Sequence, residues 1–196
     1  MITISQLHFK RLFDLLLALL LLPFIIPVLF ILVTVAAFDV GQYGWFQQVR
    51  VGQHAKLFKM YKIRTLKAEP HYLGHLDKSA TRYGRFLRRT KLDELPQIFN
   101  VLFGHMSFVG PRPDIQGFAD ELIGEDRIVL TVKPGVTGPA TLKYKDEERV
   151  LAKQSNPEIY NRTIIWVDKV EINKKYVKNW SFSLDLNYIL QSILSR

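Results

Sequence analysis

The chain has 196 residues, enough for one domain with a real core plus an accessory segment. Its net charge of +9 suits a polyanionic partner such as anionic lipid, nucleotide phosphate or nucleic acid. It contains no cysteine, which excludes disulfides, thiolate zinc sites and cysteine nucleophiles. From Leu15 to Phe38 the only polar side chain is Thr34. A helix of that length is roughly 36 Å long, enough to cross a bilayer. The run is too long for the apolar region of a cleaved signal peptide, and no small-residue cleavage site follows it.

Pro23 and Pro27 interrupt this run, and each removes a backbone donor. The stretch from Leu12 to Leu22 reaches roughly 16 Å, about half a hydrocarbon core. Both flanks are basic, with Lys10 and Arg11 before the run and Arg50, Lys56, Lys59, Lys62 and Arg64 after it. A spanning helix concentrates positive charge on one side. A helix that enters the membrane, breaks at the prolines and returns to the same face explains two basic flanks more simply. The alternative is a tilted, kinked span, because membrane helices tolerate proline.

After Asp39 the composition changes, and no linker divides the remainder. Residues 1–40 are therefore read as the membrane segment and residues 41–196 as one globular domain. Trp45 to Gly52 reads as a short strand entering a turn. Leu57 to Thr65 alternates apolar and basic residues, as a half-buried strand does, and carries Lys59, Lys62 and Arg64. Residues 69–78 read as a loop. His71 and His75 within it have helical spacing, but Pro70 and Gly74 favour a solvated loop over a metal pair. Thr81 to Thr90 reads as a helix with Arg82, Arg85, Arg88 and Arg89 on one side and Tyr83, Phe86 and Leu87 on the other, suited to phosphate or to lipid headgroups. Further on come a Pro134–Gly135 turn, a charged helix near residues 146–152 and an amphipathic helix near residues 184–194.

The tract Leu92-Asp93-Glu94-Leu95-Pro96-Gln97 places two adjacent carboxylates at an apparent helix start. Asp93 is expected to be the N-cap, Pro96 to fall in the first turn and Gly104 to end the helix, with Leu95, Ile98, Phe99 and Leu102 as its buried stripe. An acidic pair of this kind is ordinarily only a cap and a first-turn acid. Here arginines lie upstream, and the turn Pro111-Arg112-Pro113 lies downstream. Prolines on both sides restrict the Arg112 backbone, which favours a guanidinium presented rigidly to a phosphate. The tract therefore suits a metal-bridged phosphate site at a membrane surface. A non-catalytic basic anchor for lipid or a partner enzyme is the rival from another class, and it leaves Asp93 and Pro96 without a purpose. A nucleic-acid binder is disfavoured because no reading motif accompanies the basic residues.

Several tracts together carry a resemblance: LDELPQ at Leu92 to Gln97, SFVGPRP at Ser107 to Pro113, QVRVG at Gln48 to Gly52, FKMYKIRT at Phe58 to Thr65, KPGVTG at Lys133 to Gly138, and YVKNWSFSLD at Tyr176 to Asp185. In this order they resemble the bacterial sugar transferases that are small monotopic polyprenol-phosphate phosphoglycosyl transferases. The likeness covers nearly the whole chain from Lys10 onward. It implies a small, helix-dominated α/β domain on the cytoplasmic face of the bacterial inner membrane, attached to a re-entrant helix. It implies transfer of a sugar 1-phosphate from a UDP-sugar to undecaprenyl phosphate with release of UMP, as the first membrane step of surface glycan assembly. By resemblance Asp93 is the nucleophile of a ping-pong reaction and binds Mg²⁺, and Glu94 is its partner. Lys59, Lys62, Arg64, Arg88, Pro111 and Arg112 would then line the phosphate site. The implied partners are the UDP-sugar, undecaprenyl phosphate and membrane lipid, together with either a second copy of the chain or later enzymes of the same pathway. The chain departs from the family pattern at His105 and at Asn173, where a carboxylate is common.

Overall fold

A computed structural model describes residues 2–68, 73, 74 and 76–194, with the side chains of residues 77 and 78 excepted. The His71–His75 pair lies outside the described residues. In chain order the elements are α1 (Ile4–Val40), β1 (Trp45–Val51), β2 (Leu57–Ile63), α2 (Leu76–Ser79), α3 (Arg82–Thr90), α4 (Gln97–Leu102), β3 (Ser107–Val109), β4 (Gly135–Thr137), α5 (Pro139–Lys143), α6 (Glu147–Leu151), α7 (Pro157–Tyr160), α8 (Trp166–Lys178) and α9 (Phe182–Leu194). Helices dominate, as expected, and the strands form two small ribbons. β1 and β2 pair antiparallel from Trp45 opposite Ile63 to Val51 opposite Leu57. β3 and β4 pair in parallel, Ser107 with Gly135 and Val109 with Thr137, so the residues between them form a crossover.

The expected interruption at the prolines does not occur: α1 is one 37-residue helix running through Pro23 and Pro27. The two prolines stand four apart on its exposed side. The missing hydrogen bonds thus fall on one face, the condition under which a helix can bend without ending. Thr3 starts the helix with a capping box to Gln6, and Gly41, at φ 65°, ends it.

Small and apolar residues on the inner side of α1 pack against the domain on both sides of the prolines. Ala18 joins Phe58, Met60, Ile98, Val101 and Met106 in one core cluster. Leu29 and Ala36 join Ile63 and Leu87 in another. The chain then turns so closely beneath the helix that a Cβ on Gly44 would fall 2.0 Å from the Val33 carbonyl oxygen. Polar contacts fix both ends. Lys10 pairs with buried Asp185 of α9, and Asp14 accepts from Ser107 Oγ at 3.1 Å and from the Phe108 N–H at 3.0 Å. Arg11 donates to the Val101 and Leu102 carbonyls that close α4, while Thr81 donates to Asp39 at the far end. The outer side of α1 is an exposed apolar stripe that includes Leu12, Leu16, Leu20, Phe24, Ile31 and Phe38. By length and composition the helix could cross a membrane.

Candidate functional site

The carboxylate pair owes its position to the end of α3. Lys91 adopts the left-handed conformation, at φ 57°, and reverses the chain into a tight turn over Leu92–Glu94. A non-glycine residue there costs on the order of 1 kcal/mol, a strain found at functional sites. Asp93 and Glu94 are carried inward and are both buried.

Asp93 is not a helix cap, contrary to the sequence expectation. α4 begins only at Gln97 and has no side-chain cap. A cap bond from Asp93 would need the N–H of residue 95 or 96. The Leu95 N–H already bonds the Leu92 carbonyl, and Pro96 has no N–H to give. Asp93 Oδ1 is therefore buried without a hydrogen-bond partner among the described residues. Gly104, at φ 80°, does end the helix. Its buried face is Ile98 with Gln97, Asn100 and Val101, whereas Leu95, Phe99 and Leu102 are half-buried.

Glu94 has the opposite environment. Its Oε1 accepts from Arg112 Nη2 at 2.6 Å and from Lys62 Nζ at 3.3 Å, and its Oε2 faces Arg112 Nη1 at 3.4 Å. Burial alone would raise its pKa, but the Arg112 charge and then the Lys62 charge outweigh it and hold Glu94 well below the usual carboxylate range. Asp93 is shifted upward, by burial first and by the Glu94 charge second. Lys62, Arg88 and Lys91 offset this only in part. Two neighbouring acids thus have pKa values pushed apart, the pattern of groups with different chemical tasks.

Arg112 reaches the pair because its loop is held from behind. Pro111 and Pro113 are buried on either side of it, and the Pro111 carbonyl accepts from the Gly135 N–H at 2.8 Å. The loop and the KPGVTG tract meet backbone to backbone: a Cβ on Gly138 would fall 2.2 Å from the Gly110 carbonyl oxygen. These two glycine-bearing tracts are far apart in sequence and are brought together by the β3–β4 pairing.

The structure brings together Asp93, Glu94, Lys62 and Arg112, with Arg88 close enough for its charge to act on Asp93. It does not bring Lys59 and Arg64 to the pair. Lys59 lies three residues from Lys62 and projects to the outward side of β2, since side chains alternate along a strand. Arg64 lies beyond β2, donates to the Tyr43 carbonyl at 2.9 Å and covers the Phe46 ring at 5.1 Å. The alternating pattern identified the strand, but two of its three cations face elsewhere.

Sequence reading missed the charges behind Arg112. Arg50, Asp114 and Asn173 cluster there, and Asp114 and Asn173 line a cavity of about 20 Å³ together with Arg112. Burial raises Asp114 to about 6 against the pull of Lys169, Arg50 and Arg112, and burial, aided by Arg112, lowers Arg50 to about 10. Lys169, just beyond, is held by both oxygens of Glu147 at 2.8 and 2.7 Å. Asn173 and His105, the two departures from the family pattern, have separate fates. Asn173 joins this cluster with its Oδ1 unpartnered among the described residues, and His105 stacks on Phe58 at 5.9 Å.

The family model for bacterial sugar transferases matches residues 5–196. The chain is 35% identical over 187 residues to a sugar transferase, EpsL, of Bacillus subtilis, covering 94% of this chain and 85% of that one. It is 34% identical over 194 residues to the UDP-glucose:undecaprenyl-phosphate glucose-1-phosphate transferase of Klebsiella pneumoniae, covering 94% of this chain and 39% of that protein. A UDP-N-acetylgalactosamine-undecaprenyl-phosphate N-acetylgalactosaminephosphotransferase of Aeromonas hydrophila is 29% identical over 197 residues, 94% of this chain and 42% of its own length. The chain thus belongs to the bacterial sugar transferase family, spanning most of EpsL but about two fifths of the two longer relatives.

Proposed function

We propose that this chain is a phosphoglycosyl transferase that moves a sugar 1-phosphate from a UDP-sugar onto undecaprenyl phosphate and releases UMP. The general reaction is supported by the family and by the activities for which its relatives are named. Those relatives differ in sugar, and the proposal is for the UDP-sugar class. The single observation that carries the mechanism is the inequality of the two acids. Glu94 is saturated by Arg112 and Lys62, whereas Asp93 keeps a buried, unpartnered oxygen.

In this reading Asp93 attacks the sugar-bearing phosphorus of the donor. A carboxylate-oxygen-to-phosphorus bond forms, the bond from phosphorus to the bridging oxygen breaks, and that oxygen leaves on UMP. A phosphate oxygen of the lipid acceptor then attacks the same phosphorus and frees the Asp93 carboxylate. Aspartate serves as a phosphoryl acceptor in this way in other enzymes. Arg112 and Lys62, gathered by Glu94, and Arg88 supply positive charge where the diphosphate would lie.

The residues fit Mg²⁺. That ion needs one or two carboxylates, with substrate phosphates and waters completing its shell. Among the described residues no group of three or more metal-binding side chains would form a dedicated cage. The Asp93 carboxylate, whose Oδ1 has no partner among the described residues, would attack through that oxygen and hold the ion through the other, and the ion's charge would offset that of the departing phosphates.

Both ends of α1 are tied to one domain, and both halves pack against it. This supports a monotopic helix held to the cytoplasmic face at both ends, with its apolar stripe in lipid. A donor from water and an acceptor from the membrane could then use one site in turn. The test is a burst of UMP, about one per enzyme, when a UDP-sugar is added without undecaprenyl phosphate. Release that begins only after the lipid acceptor is added would reject the covalent step.

A further inference from the structure

We propose that Gln97 is a further catalytic residue, whose side-chain amide donates to the phosphoryl group during its transfer to Asp93. The proposal rests on the covalent reading above and adds to it a donor that no motif assigned.

Gln97 is 2% exposed, and its Nε2 is buried without a partner among the described residues. Its position is bracketed along one face of the turn and α4. At one end Glu94 meets Lys62 of β2 at 3.3 Å. At the other Asn100 donates to the Lys59 carbonyl at 2.7 Å and accepts from the Tyr61 N–H at 3.0 Å. Glu94, Gln97 and Asn100 are spaced by three, so Gln97 lies between these contacts, facing β2 beside the carboxylate pair. Asn100 uses both ends of its amide to hold the strand. Gln97, on the same helix and as deeply buried, leaves its donor unused.

An unsatisfied buried amide opposes folding, a cost that would select against Gln97 if it only filled space. Within one turn the site therefore holds an unused acceptor, Asp93 Oδ1, and an unused donor, Gln97 Nε2. A phosphoryl group satisfies both at once. Its phosphorus takes the carboxylate oxygen, and a non-bridging oxygen takes the amide N–H as negative charge shifts during bond exchange. No proton moves to or from Gln97; the bond made joins the Asp93 oxygen to phosphorus, and the bond broken joins phosphorus to the oxygen that leaves on UMP.

The experiment compares wild type, Gln97→Met and Asp93→Asn in single-turnover UMP release from a UDP-sugar, with melting temperature measured alongside. Gln97→Met keeps length and volume and removes the donor. Its release rate should fall about 100-fold, as for loss of one transition-state donor. KM should stay within about threefold and the melting temperature should not fall. Unchanged release would overturn the proposal, as would a loss that follows a lowered melting temperature or appears only in KM. In the unmodified protein, the Gln97 side-chain ¹⁵NH₂ signal should move when the adduct forms and not with UMP alone. A signal indifferent to the adduct would also overturn it. Turnover by Asp93→Asn would instead remove the covalent reading, so the two failures are distinguishable.

Discussion

Arg112 meets Glu94 at two points, Nη2 to Oε1 at 2.6 Å and Nη1 to Oε2 at 3.4 Å, while Oδ1 of the neighbouring Asp93 has no hydrogen-bond partner among the described residues. The chain brings its rigid arginine to one acid of the pair and leaves the other in a poorly solvated position. Two residues adjacent in sequence thereby acquire different chemistry from neighbours 18 and 32 residues away.

Removing the Glu94 charge should damage both stability and turnover. Glu94→Gln leaves Arg112 and Lys62 facing each other without their shared anion. Arg112 is partly solvated, so the expected loss is about 1–3 kcal/mol, less than for a fully buried pair. Denaturant unfolding would measure the loss, and UMP release should fall by at least about tenfold. Unchanged stability would show that the cations are held by other groups.

The acid limb of the rate profile should belong to Asp93. Its pKa is raised by burial and by Glu94, so the proposed nucleophile is neutralised at a pH where an ordinary aspartate is still charged. Glu94, held well below the usual range, stays ionised through that limb. Stability carries the same signs. The contribution of protonated Asp93 is complete below the unfolded pKa and disappears as pH rises through the folded one, so ionised Asp93 weakens the fold at neutral pH. The contribution of ionised Glu94 is present above its unfolded pKa and disappears as pH falls through its depressed folded value. Asp93→Asn should therefore melt higher than wild type at pH 7, and the difference should vanish in acid.

Asp114 gives a second pH signature. Raised to about 6 by burial, it should make wild type lose stability as pH rises from about 4 through 6. Asp114→Asn should remove its own part of that slope, leaving the part due to Asp93 and not disturbing the Arg112–Glu94 contact. Melting temperatures across this range would show it, and an unaltered slope would mean that another group titrates.

The orientation of α1 can be read with single cysteines because the natural chain has none. Ser5→Cys and Ser192→Cys should both be labelled by a membrane-impermeant maleimide from the same side of an oriented vesicle. Labelling from opposite sides would establish a spanning helix.

Much of this was legible in the sequence. The apolar run, the two strands and the arginine helix stand where periodicity and turn residues placed them, because each is set by local pattern. Side-chain direction was less legible. Lys59 and Arg64 belonged to a convincing basic row, yet only Lys62 turns towards Glu94. Asp93 looked like a cap until Pro96 and the Leu92 carbonyl were seen to leave it no donor. Asp14 and Asp185 anchor α1 through contacts 93 and 175 residues away, and no local pattern reports such pairings. A lone acid at the edge of the apolar run was the available signal for Asp14, and the four-residue step from Asp93 was the signal for Gln97.

The most direct test of the central claim is mass mapping of enzyme quenched after mixing with a UDP-sugar in the absence of lipid acceptor. The account predicts a sugar-phosphate adduct on the peptide bearing Asp93, absent in Asp93→Asn, which should release no UMP. An adduct on another residue, or near-normal UMP release by Asp93→Asn, would contradict it.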